Sequence, residues 1–246
     1  GGQLAIKSGI QRALNSLATV SVIVASGVVI WSTLGNSKNQ LPATEPPRTM
    51  PARQEPILPV ESVSVDGIAF MGQPTAKSVM LVFSDFQCPF CRKFALTEMP
   101  SVVSSYVDSG RIQFGFVHVP IEKIHPLAIP AAKAAACSGR QGKFWRMHDF
   151  LFADSNNLQQ ESLLRGVREV ELSNKEFSAC MLETRLPELD LNAALVARLM
   201  VTGTPTFYLG RLESDGRLRL IDRFEGARPS SVLQSKLDGL LKEAQQ

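Results

Sequence analysis

The sequence predicts an α/β domain in which a long helical insertion separates a β-α-β unit from a β-β-α unit. The continuous apolar run at residues 78–84 is typical of a strand buried on both faces of a sheet, and residues 111–119 are predicted to form a second central strand. Residues 126–200 contain only helical patterns, which begin with an alanine-rich segment. Two later segments, 206–210 and 218–224, flank a Ser-Asp-Gly turn and indicate a hairpin.

The remaining elements follow from apolar spacing and from the prolines. Residues 61–70 alternate between apolar and polar side chains, which favours a strand or an early hairpin. Between the two central strands, apolar residues recur at helical spacing over 89–107, and Pro100 is expected to kink or divide this helix. A helix over 229–242, with a proline in its first turn, closes the domain.

The excess positive charge of the chain lies in its N-terminal part. The 246 residues carry 26 basic and 23 acidic side chains, a net charge of +3. Residues 1–60 hold five of the basic and two of the acidic side chains, so residues 61–246 carry 21 of each sign. A balanced domain has no positive field that would attract phosphates, and nucleic-acid binding is therefore disfavoured.

Residues 1–35 are predicted to be a cytoplasmic stub followed by a transmembrane anchor. The 25 residues 13–37 carry no charge, and as a helix they would exceed the thickness of a bilayer core, about 30 Å. Lys7 and Arg12 precede this run, which leaves the N-terminus in the cytoplasm and makes the protein a single-pass protein of the cell membrane. A signal peptide cleaved near residues 25–27 is the alternative. Either interpretation places the domain outside the cytoplasm.

Residues 36–60 form a linker between the anchor and the domain. The segment contains six prolines and almost no aliphatic periodicity, so it is expected to be extended and fairly stiff. The folded domain is therefore predicted over 61–246. In a periplasmic or other extracytoplasmic compartment, disulfide bonds in this domain would persist.

Cys88, Pro89, Phe90 and Cys91 lie where the first central strand gives way to a helix. A thiol at a helix N-terminus faces unpaired backbone N–H groups, which favour its thiolate form. We therefore expect Cys88 to be the exposed, attacking sulfur and Cys91 to lie one turn further on and more buried. Pro89 fits the first helical position, where its missing N–H costs no hydrogen bond.

A zinc site or a structural brace accounts less well for the cysteine pair. A structural zinc site usually needs a second close pair of cysteines or histidines, and the sequence contains none. A purely structural disulfide between residues three apart closes too small a loop to stabilise the fold much. A redox role, without a metal or a cofactor, is the interpretation that remains.

Three motifs resemble the DsbA-like branch of the thioredoxin superfamily: DFQCPFC, HPLAIPAAKAAACSGRQGKFWRMHDFLF and VTGTPTFYLG. The resemblance extends from about residue 60 to the C-terminus, and it implies a thioredoxin fold with a helical insertion at about 126–200. It also implies that Pro205 is a cis-proline beside the active disulfide. The backbone of Thr204 would then be free to pair with an extended substrate chain.

The sequence departs from better-known members of this branch at two positions. Many members carry an acid six residues before the first cysteine, which is thought to move protons from the second thiol, whereas this chain has Val82. Some strong oxidants have a histidine at the position of Phe90. Without that positive neighbour the pKa of Cys88 should be less depressed, which predicts a milder oxidant.

Other residues are assigned roles around the reactive pair. Cys137 and Cys180 are predicted to form a structural disulfide, because unpaired cysteines are a liability in an oxidising compartment. Two separate buried thiols are the alternative. Phe86, Phe90 and Pro89 flank the reactive pair and are predicted to form an apolar landing surface for unfolded chains.

These observations predict a membrane-tethered thiol–disulfide oxidoreductase, acting as an oxidase on reduced or unfolded exported proteins. Cys88 and Cys91 would carry the exchange. The family resemblance implies reoxidation by a quinone-linked membrane partner of the DsbB or vitamin-K-epoxide-reductase type. Two alternatives stay open: a reductase or isomerase on the same fold, and a membrane-held binding module without catalytic activity.

Overall fold

The computed structural model of the protein describes residues 58–243. The predicted anchor and nearly all of the linker lie outside these residues, and both stay predictions. Within the described part of the chain, no helix is both long and apolar enough to cross a membrane.

A six-stranded mixed sheet forms the centre of the described domain. Its strands are β1 Ser62–Val63, β2 Ala69–Met71, β3 Ser78–Ser84, β4 Ile112–His118, β5 Thr206–Leu212 and β6 Leu218–Glu225. Their order across the sheet is β1-β6-β5-β3-β4-β2. Strand β3 runs parallel to β4 and antiparallel to β5, and it is buried along its whole length. The β-α-β and β-β-α order predicted from the sequence is therefore confirmed.

The segment at residues 61–70 does not form the early hairpin that its alternating pattern allowed. Strand β1 pairs with β6 at one edge of the sheet, and β2 pairs with β4 at the other edge. A turn closed by a bond from the Ile68 N–H to the Val65 carbonyl separates the two strands. The two short strands thus form the two opposite edges of the sheet.

The helix after β3 is divided into four short stretches, in agreement with the effect expected of Pro100. Helix α1, Pro89–Lys93, continues into a π-helical stretch, Phe94–Glu98. Helix α2, Met99–Val102, then continues into a second π-helical stretch, Val103–Val107. Because Pro100 in α2 has no N–H to donate, regular α-helical bonding cannot pass through it.

Five helices make up the insertion between β4 and β5. They are α3 Ala128–Gly139, α4 Phe144–Ala153, α5 Gln160–Glu169, α6 Asn174–Leu182 and α7 Pro187–Arg198. Helix α8, Ser230–Glu243, closes the domain after β6. The predicted insertion and closing helix are both present.

Strand β3 separates two apolar cores and thereby positions the cysteine pair. Met80 and Val82 pack in the same core as Cys91, together with much of the insertion. Val79, Leu81 and Phe83 belong to the core on the other face of the sheet. Because side chains alternate along a strand, the even-numbered positions of β3 face the cysteine pair.

Candidate active site

Cys88 caps the N-terminus of α1, as the sequence predicts. Its backbone is extended, with φ −69° and ψ 122°, and Pro89 occupies the start of the helix. The Cys88 N–H donates to the Asp85 carbonyl at 3.1 Å, and the Arg92 N–H donates to the Cys88 carbonyl at 2.9 Å. The turn after β3 therefore fixes the sulfur at the opening of the helix.

The two sulfurs are less accessible than expected, although their order of exposure is the predicted one. Both residues are free thiols; Cys88 is 4% exposed and Cys91 is 0% exposed. The prediction that Cys88 is an exposed sulfur is therefore wrong. The loop that carries Thr204 covers it, and the Cys88 thiol lies 3.5 Å from the Thr204 carbonyl oxygen, to which it donates.

Hydrogen-bond donors around Cys88 lower its pKa from an ordinary 9.0 to about 6. The largest contribution is a hydrogen bond from the Cys91 thiol, and the backbone N–H groups of Phe90 and Cys91 add to it. Burial acts in the opposite direction but does not outweigh these donors. At neutral pH Cys88 is therefore mostly thiolate, which is the nucleophilic form.

Cys91 has the opposite character. Burial raises its pKa far above the ordinary value of a thiol, and the neighbouring Cys88 raises it further. The Ser84 hydroxyl and the Asp85 N–H oppose this shift by hydrogen bonding to Cys91. No carboxylate is among the described groups that shift the Cys91 pKa. This fits the presence of Val82 on the same face of β3. The arrangement suits Cys88 for attack and keeps Cys91 protonated.

The loop before β5 faces the cysteine pair. The bond between Thr204 and Pro205 is cis, the isomer that the family resemblance implied. The Gly226 N–H donates to the Pro205 carbonyl at 2.8 Å, and the Thr206 hydroxyl donates to the Gly203 carbonyl at 2.7 Å. These bonds hold the loop in place, with the Thr204 carbonyl against Cys88.

A buried carboxylate, that of Asp85, lies beside the site, and no local pattern in the sequence indicates its role. Asp85 is 1% exposed, and its side chain accepts from the Gln87 N–H at 2.8 Å and from the Ile121 N–H at 2.9 Å. His125 Nδ1 lies 2.8 Å from the same carboxylate. Gln87 in turn accepts a bond from the Leu127 N–H. This network joins the turn before Cys88 to the start of the insertion.

The predicted apolar landing surface is only partly present. Phe90 is 63% exposed and Pro89 is also exposed. Phe86 is 1% exposed, so its assignment to this surface is wrong. Its ring lies 5.2 Å from that of Phe116 and 4.8 Å from that of Phe152, centroid to centroid, as part of the core.

The remaining two cysteines lie in the insertion and are joined to each other. Cys137 on α3 and Cys180 on α6 form a disulfide across 43 positions of sequence, and both are buried. The bridge ties two helices of the insertion together. It leaves Cys88 and Cys91 as the free thiol pair of the described residues.

The fold and the site together form the kind of dithiol centre that thiol–disulfide oxidoreductases use. Two free thiols of unequal pKa open a helix after a central strand, and a cis-proline loop covers the more reactive one. A thiolate poised beside a second thiol is the arrangement that disulfide exchange requires.

Comparisons with known proteins agree with this class. A family model described as thioredoxin matches residues 64–220, which is more than half of the chain. The "Probable disulfide bond formation protein D" of Bacillus anthracis is 23% identical over 209 residues, which cover 80% of this chain and 86% of that protein. The chain belongs to the thioredoxin family.

Two solved structures share the fold over most of the domain. Oxidised BdbD from Bacillus subtilis has a TM-score of 0.63 at 19% identity and covers 74% of this chain and 97% of that chain. A thioredoxin-like oxidoreductase from Silicibacter pomeroyi has a TM-score of 0.58 at 26% identity and covers 72% of this chain and 94% of that chain.

A further relative is much longer than this chain. The "Na(+)/H(+) antiporter NhaA 3" of Salinispora tropica is 28% identical over 198 residues, which cover 78% of this chain but 29% of that protein. The chain thus spans less than a third of that relative's length. Antiport is the activity in that protein's name, and the shared segment carries no argument for it here.

Proposed function

We propose that the protein is an extracytoplasmic thiol–disulfide oxidase that transfers its Cys88–Cys91 disulfide to protein substrates. The observation that carries the proposal is the inequality of the two thiols: the pKa of Cys88 is lowered to about 6, whereas that of Cys91 is raised. A low pKa stabilises the reduced pair at neutral pH, and a stabilised reduced form makes its disulfide more oxidising.

The proposed cycle begins with the oxidised pair. A substrate thiolate attacks the Cys88 sulfur, the Cys88–Cys91 bond breaks, and Cys91 leaves as a thiolate that takes up a proton. A second substrate thiolate then attacks the substrate sulfur of the mixed disulfide, and Cys88 leaves as a thiolate. Two electrons pass to the protein, and the substrate gains one disulfide.

Access to Cys88 is proposed to depend on the loop at Thr204 and Pro205. The Thr204 carbonyl accepts from the Cys88 thiol, and neither the thiolate nor the disulfide carries that hydrogen, so in those forms the carbonyl could accept from a substrate backbone that pairs with this loop. Phe90 and Pro89, both exposed beside the sulfur, supply apolar contact for the unfolded chain.

The protein is proposed to work at the outer face of the cell membrane, tethered through residues 13–34 and the linker. The Cys137–Cys180 bridge supports an oxidising compartment and is given a structural role. A quinone-linked membrane partner of the DsbB or vitamin-K-epoxide-reductase type would remove the two electrons from Cys88 and Cys91. Reduced or unfolded exported proteins would be the substrates.

Equilibration of the intact chain with a series of glutathione buffers tests the direction of electron flow. A potential well above about −270 mV, toward about −120 mV, supports an oxidase, whereas one near −270 mV supports the reductase or isomerase alternative. Reduced, denatured ribonuclease provides the second measurement. The oxidised protein should restore its activity. Cys91→Ser, first converted to its Cys88–glutathione disulfide, should release glutathione to a ribonuclease thiolate and accumulate mixed disulfides with ribonuclease, while Cys88→Ser treated in the same way should not. Absence of both effects would favour a binding module.

A further inference from the structure

An open groove near the candidate active site takes no part in the exchange described above. It has a volume of about 350 Å³ and lies between helix α7 and the segment that follows β4. Its walls include Val119, Pro120, Val196, Ala197, Met200 and Thr202. Apart from His118 and Thr202, the described residues that line it are apolar. A groove of this size and composition suits an apolar group of a ligand.

Both walls of the groove are joined to the surroundings of Cys88. On one side, the Val119 N–H donates at 2.9 Å to the carbonyl of Ser84, the residue from which the chain leaves β3 and turns toward Cys88. On the other side, Thr202 lies two residues before Thr204, whose carbonyl lies 3.5 Å from the Cys88 sulfur. Two residues span about 7 Å at most, so this edge of the groove is close to the reactive sulfur.

Met200, on the rim of the groove, has a backbone conformation that favours glycine. Its φ is 49°, and its side chain is 66% exposed. The Met200 N–H donates to the Ala197 carbonyl at 3.2 Å, and the Val201 N–H donates to the Val196 carbonyl at 3.1 Å. These are the two bonds of a Schellman motif at the end of α7. Glycine is the least strained residue at this position, so the fold alone gives no reason for a large, exposed apolar side chain.

The proposed exchange indicates what occupies the groove. A protein substrate that pairs with the backbone of Thr204 is extended where it reacts with Cys88. In an extended chain, side chains two positions apart point to the same side and lie about 7 Å from each other. Thr204 and Thr202 are separated by the same two positions. The side chain two positions from the substrate cysteine therefore reaches the edge of the groove at Thr202.

We propose that the groove binds an apolar side chain of the substrate, two positions from the cysteine that attacks Cys88, and that Met200 forms its adaptable edge. The inference rests on the proposed function and adds a substrate preference to it, with no further bond formed or broken. Methionine suits this role because its flexible, polarisable thioether packs against side chains of different shapes. A charged side chain would lose its hydration here, and an apolar lining would not replace it.

Two short peptides measure this preference with the intact, oxidised protein. Each peptide contains one cysteine among serine and glycine residues. The first has leucine two positions before and two positions after the cysteine, and the second has serine at both places. The measured quantity is the rate of mixed-disulfide formation, followed by rapid mixing. Burial of about half of a leucine side chain should make the leucine peptide react about tenfold faster than the serine peptide.

Three variants locate the preference. Met200→Gly removes the edge of the groove, and Ala197→Glu places a charge in its wall, so each should reduce the leucine-to-serine ratio to less than half of the wild-type ratio. Met200→Gly should not lower the midpoint of urea unfolding, because glycine relieves the backbone at a φ of 49°. Glu171→Gly is the matched control. Glu171 occupies the same position of a Schellman motif at the end of α5, with a φ of 58°, and its replacement should keep the full ratio.

A ratio in Met200→Gly of at least half the wild-type ratio overturns the inference, as does a wild-type ratio below about fivefold. If Ala197→Glu does not fold, Met200→Gly decides the question. Loss of the ratio in Phe90→Glu alone would assign the leucine contact to Phe90. A wild-type dimer that Ala197→Glu converts to a monomer would assign the groove to a second copy of the chain. Either result overturns the inference. Failure of the wild-type protein to form a mixed disulfide with either peptide would instead refute the proposed function.

Discussion

Lowering the pH from 8 to 5 should reduce the reactivity of Cys88 only about elevenfold. With its pKa lowered to about 6, Cys88 passes from about 99% thiolate at pH 8 to about 9% at pH 5. A thiol that kept the ordinary pKa of 9.0 would lose about 900-fold over the same interval, from about 9% to about 0.01% thiolate. The expected loss of reactivity between pH 8 and pH 5 therefore differs by almost two orders of magnitude between a pKa of about 6 and a pKa of 9.0.

Alkylation of the reduced protein by excess iodoacetamide measures this fraction directly. The rate should level off above pH 7, and mass spectrometry should find a single adduct, because the raised pKa of Cys91 keeps that sulfur unreactive. Cys88→Ser provides the blank. A rate that keeps climbing through pH 8 and 9 would show an ordinary thiol, and the argument for a stabilised thiolate would then be wrong.

The same titration separates the groups that lower the pKa of Cys88. The thiol of Cys91 makes the largest contribution, so Cys91→Ala should move the half-point of alkylation upward, toward the ordinary value of 9.0. A half-point that stayed near 6 in this variant would assign the effect to the helix N-terminus instead.

The lowered pKa also links the stability of the reduced fold to pH. The pKa of Cys88 is lower in the folded state than the ordinary value expected for the unfolded chain. The stabilisation is therefore complete above about pH 9 and is lost as the pH falls through about 6. At pH 7 the difference between the two pKa values raises the folding equilibrium constant of the reduced protein about elevenfold. This corresponds to about 1.4 kcal/mol in favour of the reduced folded form. For a two-electron couple this raises the reduction potential by about 30 mV.

Three further predictions concern the surroundings of the reactive pair. Phe90→Glu should slow oxidation of reduced ribonuclease several-fold but leave glutathione exchange near the wild-type rate, because only a protein substrate needs the apolar contact. Leu182→Glu, which changes another exposed apolar side chain, should leave both rates unchanged. Asp85→Ala leaves the Gln87 N–H, the Ile121 N–H and His125 Nδ1 without their acceptor, so the free energy of unfolding in urea should fall by about 3 kcal/mol. A fall of less than about 1 kcal/mol would contradict a stabilising role for the Asp85 hydrogen bonds. Replacing Cys137 and Cys180 together by alanine should lower the free energy of unfolding by about 4 kcal/mol. The pH of half-maximal Cys88 alkylation should stay near 6, and a shift of this pH would show that the Cys137–Cys180 disulfide affects the Cys88 pKa.

Local patterns were enough to predict the central elements and the reactive pair. The apolar runs of β3 and β4, the helical spacing that follows each of them and the position of Cys88 at a strand–helix junction all depend on neighbouring residues. Each such pattern has one physical cause, namely burial on one or both faces of a regular element. The described fold agrees with the sequence at these elements.

Contacts between distant residues could not be predicted in the same way. Asp85 and His125 are 40 positions apart, and nothing in either local sequence indicates that they meet. Alternation along a strand predicts which face a side chain occupies, but not what lies opposite that face. For the same reason, the residues around Phe86 did not reveal that the aromatic rings of the insertion would cover it.

The sequence suggested only part of the cause of the low Cys88 pKa. The regular part of α1 is only five residues long, Pro89–Lys93, before the π-helical stretch begins. The backbone N–H groups at the start of this helix lower the pKa as predicted, but they are not the largest contribution. The Cys91 thiol lowers the pKa most, the Thr204 side chain comes next, and the backbone N–H groups of Cys91 and Phe90 follow. Cys91 therefore has two functions at the site: as a thiol it stabilises the thiolate of Cys88, and as a thiolate it is the leaving group.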